Sequence, residues 1–221
     1  MGSVPALPRT CTTADGLTLE AELSVADGGR GDDDRGSRAT AAVLLCHPHP
    51  QYGGTMRAGI IGSLFEALPH AGATVLRFNF RGVEGSQGAH DHGTGELLDV
   101  LAALDTLVAE VDPALPVIVA GWSFGGDMAL GTYDDRIAAW LAFAPPLRLA
   151  EHQAVARDTR PKLLVLGQHD EFRDPADIVA ETEHWENTEV DVISGASHFF
   201  VGRYDRVVEI ALGYVERITS A

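Results

Sequence analysis

An α/β fold with a mostly parallel, twisted sheet and helices on both faces follows from three features of the 221-residue sequence. Short apolar runs alternate along the chain with stretches whose apolar residues recur at helical spacing. Several runs are apolar at every position, as strands buried on both faces are. The composition, 45% hydrophobic and 22% charged, is that of an ordinary globular chain whose length suits one domain over residues 1–221.

Near the N-terminus, Leu17, Leu19, Ala21 and Leu23 alternate with polar neighbours and predict an antiparallel hairpin arm. Gly, Asp and Arg then fill nearly every place in residues 26–39. Such a segment buries nothing and reads as a flexible surface loop within the domain. Ala42–Cys46 is a buried strand by its unbroken apolar run, followed by a helical stripe of Ile60, Ile61, Leu64, Phe65 and Leu68. Thr74–Phe80 is the next strand. Leu97, Leu98, Leu101, Leu104 and Val108 form a second stripe, closed by Asp112-Pro113. Strands follow at Pro116–Ala120, Ile137–Phe143, Leu163–Leu166 and Glu189–Ile193, with helical stretches between them and a last helix over Arg203–Ile218. Strand–helix–strand units of this kind cross over right-handed and build a parallel sheet.

Sixteen basic residues against 32 acidic ones give a net charge of −16. That balance disfavours nucleic acid and anionic membrane surfaces as partners. Cys11 and Cys46 form no metal-binding or redox spacing. Residues 1–14 lack the apolar core of a signal peptide, and no apolar run approaches the roughly 20 residues of a membrane span. The expectation is a soluble cytoplasmic protein. The sequence does not fix an oligomeric state.

In open parallel sheets, ligands bind beyond the carboxyl ends of the strands, so the loops that follow strands carry the chemistry. Val117–Ala120 runs into Gly121-Trp-Ser-Phe-Gly125, a G-x-S-x-G turn between strand and helix. Side chains flanking so sharp a turn would collide, which Gly121 and Gly125 avoid, and the Ser123 hydroxyl then projects above the sheet. A serine nucleophile needs a base, and the base an orienting acid. Asp170, after the strand ending at Leu166, and His198, after the strand ending at Ile193, follow Ser123 in the required chain order. Glu171 and Asp174 compete with Asp170 for the acid's role.

An oxyanion hole takes one N–H from the residue after the nucleophile, here Phe124. The second is expected from Cys46-His-Pro-His-Pro50, where Pro48 and Pro50 leave His49 as the only N–H of positions 48–50. Tyr52, Trp122 and Phe199 are candidate walls of the substrate pocket. His47-x-His49 and Ala89-His-Asp-His92 resemble metal pairs, but the first lacks a third ligand and the second reads as a solvated turn before a helix. Gly82-x-x-Gly85-x-x-Gly88 has the wrong spacing for a dinucleotide loop, and the single Lys162 forms no P-loop. No cofactor or metal is expected.

These residues resemble the α/β-hydrolase superfamily over about Thr10 to Ile218, with Ser123, Asp170 and His198 matching its nucleophile, acid and histidine. His47-Pro-His-Pro50 is similar to the His-Gly-x-Pro oxyanion loop, with Pro48 in place of the glycine. Together with Gly53-Gly-Thr-Met56 and Leu76-Arg-Phe-Asn-Phe-Arg-Gly82, it looks like a small capless, dienelactone-hydrolase-like bacterial subgroup of serine hydrolases with an esterase-like character. Dienelactone hydrolase itself uses cysteine, so its substrate does not transfer to a chain with Ser123. Only about eighteen residues separate Phe143 from Leu163, too few for a large helical cap. The resemblance implies a serine carboxylesterase cleaving a small soluble ester through an acyl-enzyme. The same triad also serves thioesterases, lactonases, peptidases and acyltransferases, and a retired hydrolase fold can act as a non-catalytic binding protein.

Overall fold

A computed structural model describes residues 5–26, 39–148 and 152–220. Most of the segment read as a flexible loop, residues 27–38, lies outside the described residues. Eight strands form one sheet in the order β1-β2-β4-β3-β5-β6-β7-β8. They are β1 (Leu7–Thr12), β2 (Thr18–Ser24), β3 (Ala41–Cys46), β4 (Ala73–Phe78), β5 (Val117–Trp122), β6 (Ile137–Phe143), β7 (Lys162–Gly167) and β8 (Thr188–Ile193). The N-terminal arm pairs antiparallel, β1 with β2 and β2 with β4, while all the pairings from β4 to β8 are parallel.

The helices are α1 (Gly59–Ala67), α2 (Thr94–Ala109), α3 (Phe124–Gly131), α4 (His152–Ala156), α5 (Pro175–Thr182) and α6 (Tyr204–Thr219). Every residue of β3, β5 and β7 is buried, because helices cover both faces. The two-residue period of a strand divides the core in two. Along β3, Ala42, Leu44 and Cys46 pack with Val100, Leu104, Met128 and Val155 of α2, α3 and α4. Ala41, Val43 and Leu45 pack on the opposite face with Ile60, Leu64, Val207 and Ala211 of α1 and α6. The edge strand β8 is mostly half-exposed.

The sequence predicts a strand through Phe80, but β4 ends at Phe78. The next two residues turn their polar groups to the neighbouring loop instead: the Asn79 side chain accepts from the Met56 N–H at 2.8 Å, and the Phe80 N–H donates to His47 Nε2 at 3.0 Å. Between β6 and β7 the five-residue α4 is the only helix among the described residues, so no large cap stands there. No helix among the described residues is long and apolar enough to cross a membrane.

Candidate active site

The turn from β5 into α3 places Ser123 at φ 54°, ψ −121°, a backbone conformation that L-residues adopt only when their surroundings enforce it. Ser123 N–H donates to the Phe143 carbonyl at 2.8 Å, and its carbonyl accepts from Asp127 N–H at 3.1 Å. A Cβ on Gly121 would stand 2.0 Å from the Gly125 carbonyl oxygen. One on Gly125 would stand 2.2 Å from the Cys46 carbonyl oxygen. Both glycines are therefore steric necessities of the turn, and Gly125 lets α3 lie directly against the end of β3.

His198, on the loop after β8, reaches both other members of the predicted set. Its Nε2 is 2.9 Å from Ser123 Oγ and its Nδ1 is 2.8 Å from Asp170 Oδ2. A carboxylate only accepts, so Nδ1 carries the proton and Nε2 is free to accept from the serine hydroxyl. Burial works against the charge on Asp170. Hydrogen bonds from His198 and from the Phe172 and Arg173 N–H groups outweigh it and hold the carboxyl below its ordinary range. The two competing carboxylates are engaged elsewhere. Asp174 caps α5 by accepting from Ala176 N–H, and Glu171 accepts from the His198 backbone N–H at 3.1 Å. Trp122 Nε1 donates to the His198 carbonyl at 3.1 Å, so the loop is fastened at its backbone while the imidazole stays directed at Ser123.

The loop after β3 is held by His47, which is fully buried. Its Nδ1 lies 2.6 Å from the Pro48 carbonyl and its Nε2 accepts from Phe80 N–H, leaving neither nitrogen for a metal. Burial lowers its pKa to about 4, so the ring is neutral at pH 7. His49 begins a short 3-10 turn, its Nδ1 accepting from Gln51 N–H. Its ring stands 5.0 Å from that of Phe124. The His49 N–H makes no hydrogen bond to another described residue. Phe124 N–H, at the first position of α3, has no intrahelical acceptor. Gly54 completes the loop, since a Cβ there would meet the Pro48 carbonyl oxygen at 2.0 Å.

These loops surround a cleft of about 780 Å³ with Ser123 and His198 in its wall. All three predicted pocket residues line it: Trp122 nearly buried, Phe199 44% exposed, and Tyr52 86% exposed at the rim. His90, His92, Arg148 and Phe172, none of them marked by the sequence as a pocket residue, also line the cleft. Ala89, Asp91 and His92 are exposed in the turn before α2, as the sequence predicts, and only the His90 side chain departs from that expectation. That side chain is 7% exposed, with Nδ1 2.8 Å from the buried Glu96, which also accepts from the Asp91 and Gly93 N–H groups. The signal available was position: each of these four lining residues follows a strand of the parallel sheet. Phe172 lies 4.5 Å ring to ring from His198 and shields the imidazole from one side.

A serine–histidine–carboxylate chain on a strand–turn–helix elbow defines the class as serine hydrolase. Residues 39–209 match the family described as the alpha/beta hydrolase domain, and the chain belongs to that family. An uncharacterised protein of Rickettsia prowazekii (strain Madrid E) is 34% identical over 169 residues, which cover 72% of this chain and 71% of that protein. An alpha-beta serine hydrolase homologue from Coxiella burnetii is 30% identical with a TM-score of 0.82, covering 94% of this chain and 96% of that one. XC6422 from Xanthomonas campestris, an a/b serine hydrolase without lid, is 25% identical with a TM-score of 0.82, over 98% and 97% of the two chains. The chain thus falls within the small lidless serine hydrolases of the family.

Proposed function

We propose that the protein is a carboxylesterase acting on small soluble esters through an acyl-enzyme. The observation that carries this reading is the unbroken hydrogen-bonded path from Asp170 through His198 to Ser123, with spacings of 2.8 and 2.9 Å. Ser123 Oγ attacks the ester carbonyl carbon while His198 Nε2 takes its proton, and Asp170 steadies the imidazolium. The tetrahedral oxyanion receives the Phe124 and His49 N–H groups, each donor of this type being worth about 3–4 kcal/mol in the transition state. The carbon–oxygen bond to the leaving alcohol breaks as His198 returns the proton to that oxygen. Water then attacks the acyl-Ser123 carbonyl with His198 as base, releasing the acid and regenerating the serine.

The open, lidless cleft of about 780 Å³ suits a small ester rather than a long lipid. Tyr52, Trp122 and Phe199 supply its apolar contacts, and no step calls for a metal or cofactor. The test is a panel of short-chain 4-nitrophenyl esters with the matching thioesters, anilides and lactones, run on wild type and Ser123→Ala. The expected result is burst release of 4-nitrophenol with an acyl adduct on Ser123 by intact mass. Turnover retained by Ser123→Ala, or hydrolysis of thioesters alone, would overturn the reading.

A further inference from the structure

The cleft has two chemically different walls, set by the two faces of the sheet. On the α1/α6 side, Ala58, Trp122 and Tyr204 belong to or pack against that face's core, and Gly59, Phe199 and Val201 extend the apolar wall. Across the cleft, Phe124 packs against the core of the other face, with the rings of His49 and His90 at 5.0 and 5.5 Å from its own. The same side carries Arg148, which lines the cleft from the strap that leaves β6.

That strap is built to a fixed shape. Ala144 and Leu147 both take positive φ, 45° and 52°, although neither is glycine. Such strain persists only where the surroundings over-determine it, and it concentrates at functional sites. Here the restraint comes from Asp127, one turn into α3 from Ser123. Its buried carboxylate accepts from Leu147 N–H at 2.8 Å and from Arg148 N–H at 3.0 Å. Arg173 Nη1 holds the Pro146 carbonyl at 3.0 Å, and Ala144 N–H donates to the Val165 carbonyl at 2.8 Å.

The guanidinium carried by this strap is felt by the Asp127 carboxylate through space but forms no contact pair with it. Arg9, Arg57, Arg77, Arg81, Arg136 and Arg160 each meet a carboxylate. The Arg148 guanidinium makes no hydrogen bond or ion pair among the described residues. In a chain with 32 acidic residues, the only carboxylate among the described lining residues is Asp127, already committed to the strap. The described lining thus balances one guanidinium against one carboxylate, while the molecule as a whole carries a net charge of −16.

We propose that Arg148 determines specificity by receiving a carboxylate carried at the end of the ester remote from the scissile bond, while the substrate's apolar part lies along Trp122, Phe199 and Tyr204. A planar guanidinium matches a carboxylate with two parallel N–H···O contacts. Asp127 and Arg173 act as positioning residues that hold the strap. This inference rests on the esterase reading and narrows its substrate class to anionic amphiphilic esters.

Two matched pairs test it: mono-4-nitrophenyl glutarate against 4-nitrophenyl valerate for a charge on the acyl side, and 4-acetoxybenzoate against 4-acetoxybenzamide for one on the alcohol side. Wild type is expected to favour the carboxylate in at least one pair by roughly tenfold in kcat/KM, mainly through KM, since a charge-assisted contact is worth about that much. The preference should shrink with added salt. Arg148→Ala should collapse the charged-to-neutral ratio, and Arg148→Lys should restore part of it. Preference for the neutral ester in both pairs, or a ratio unchanged in Arg148→Ala, overturns the inference while leaving the esterase intact. An Arg148-dependent preference for 4-acetoxyphenyl phosphate over 4-acetoxybenzoate overturns the assignment to carboxylate. If none of these esters is hydrolysed, the esterase reading fails instead. Calorimetric titration of Ser123→Ala with 4-acetoxybenzoate then decides the subsite: binding weakened by Arg148→Ala supports it, and binding indifferent to that change removes it.

Discussion

His47 and His198 occupy comparable places and lead different lives. Each follows a strand at the carboxyl edge of the sheet, each is at least 95% buried, and each uses both ring nitrogens. The partners of His47 are main-chain groups, the Pro48 carbonyl and the Phe80 N–H, so its ring serves as a rivet between two loops. The partners of His198 are the side chains of Asp170 and Ser123, which in the proposed function fix its tautomer and offer it a proton. Burial and hydrogen-bond saturation alone do not separate a structural histidine from a reactive one. The proposed function separates them by the chemical kind of their partners.

The largest expected effect comes from the reactive side of this contrast. Ser123→Ala or His198→Gln should lower kcat by about 10⁴-fold or more, with the folded state retained in near-UV circular dichroism. Asp170→Asn should also cost about 10⁴-fold, because an amide in place of the carboxylate presents the wrong partner to His198 Nδ1–H. A modest loss in Asp170→Asn together with a large one in Glu171→Gln would reassign the acid.

The structural side predicts a pH signature in stability. Unfolded His47 titrates near 6.5 and folded His47 near 4. Between those values the unfolded chain binds more protons, so the contribution is fully present above about pH 6.5 and is lost as the pH falls towards 4. The loss amounts to about 3 kcal/mol. Urea unfolding of wild type and His47→Gln across pH 4–7 checks this. The wild-type curve should fall more steeply by that amount, and parallel curves would break the account of His47.

The smallest effect separates neighbouring carboxylates. Asp174→Ala removes a helix cap and should cost about 1 kcal/mol of stability. It should leave turnover within a factor of two or so, a contrast with Asp170 that ester kinetics and thermal melts read together.

The elbow and the placing of Ser123, Asp170 and His198 after successive strands were legible because they rest on local constraints: two glycines without which the turn collides, and loops fixed at the ends of strands. The choice of Asp170 over Glu171 and Asp174 was less so. Three carboxylates within five residues differ only in direction, and direction is set by the amides of Phe172 and Arg173. The polar neighbours of Ala89-His-Asp-His92 make the turn read as solvated, which holds for the exposed His92, whereas the buried Glu96 draws the His90 side chain inward to the cleft. Arg148 was invisible for another reason. Sequence shows that an arginine is present, but that it pairs with no carboxylate among the described residues emerges only when distant segments meet. The end of β4 was misplaced by two residues because Asn79 and Phe80 bond across to the loop after β3, a contact without local signal.

The central claim is that His198, and not merely any buried histidine at this edge, activates Ser123. Labelling with a fluorophosphonate, followed by intact mass at pH 7, tests it on wild type, Ser123→Ala, His198→Gln and His47→Gln. The account predicts a single adduct on wild type and on folded His47→Gln, and none on Ser123→Ala or His198→Gln. Labelling of His198→Gln at the wild-type rate, or no adduct on folded wild type, would contradict it.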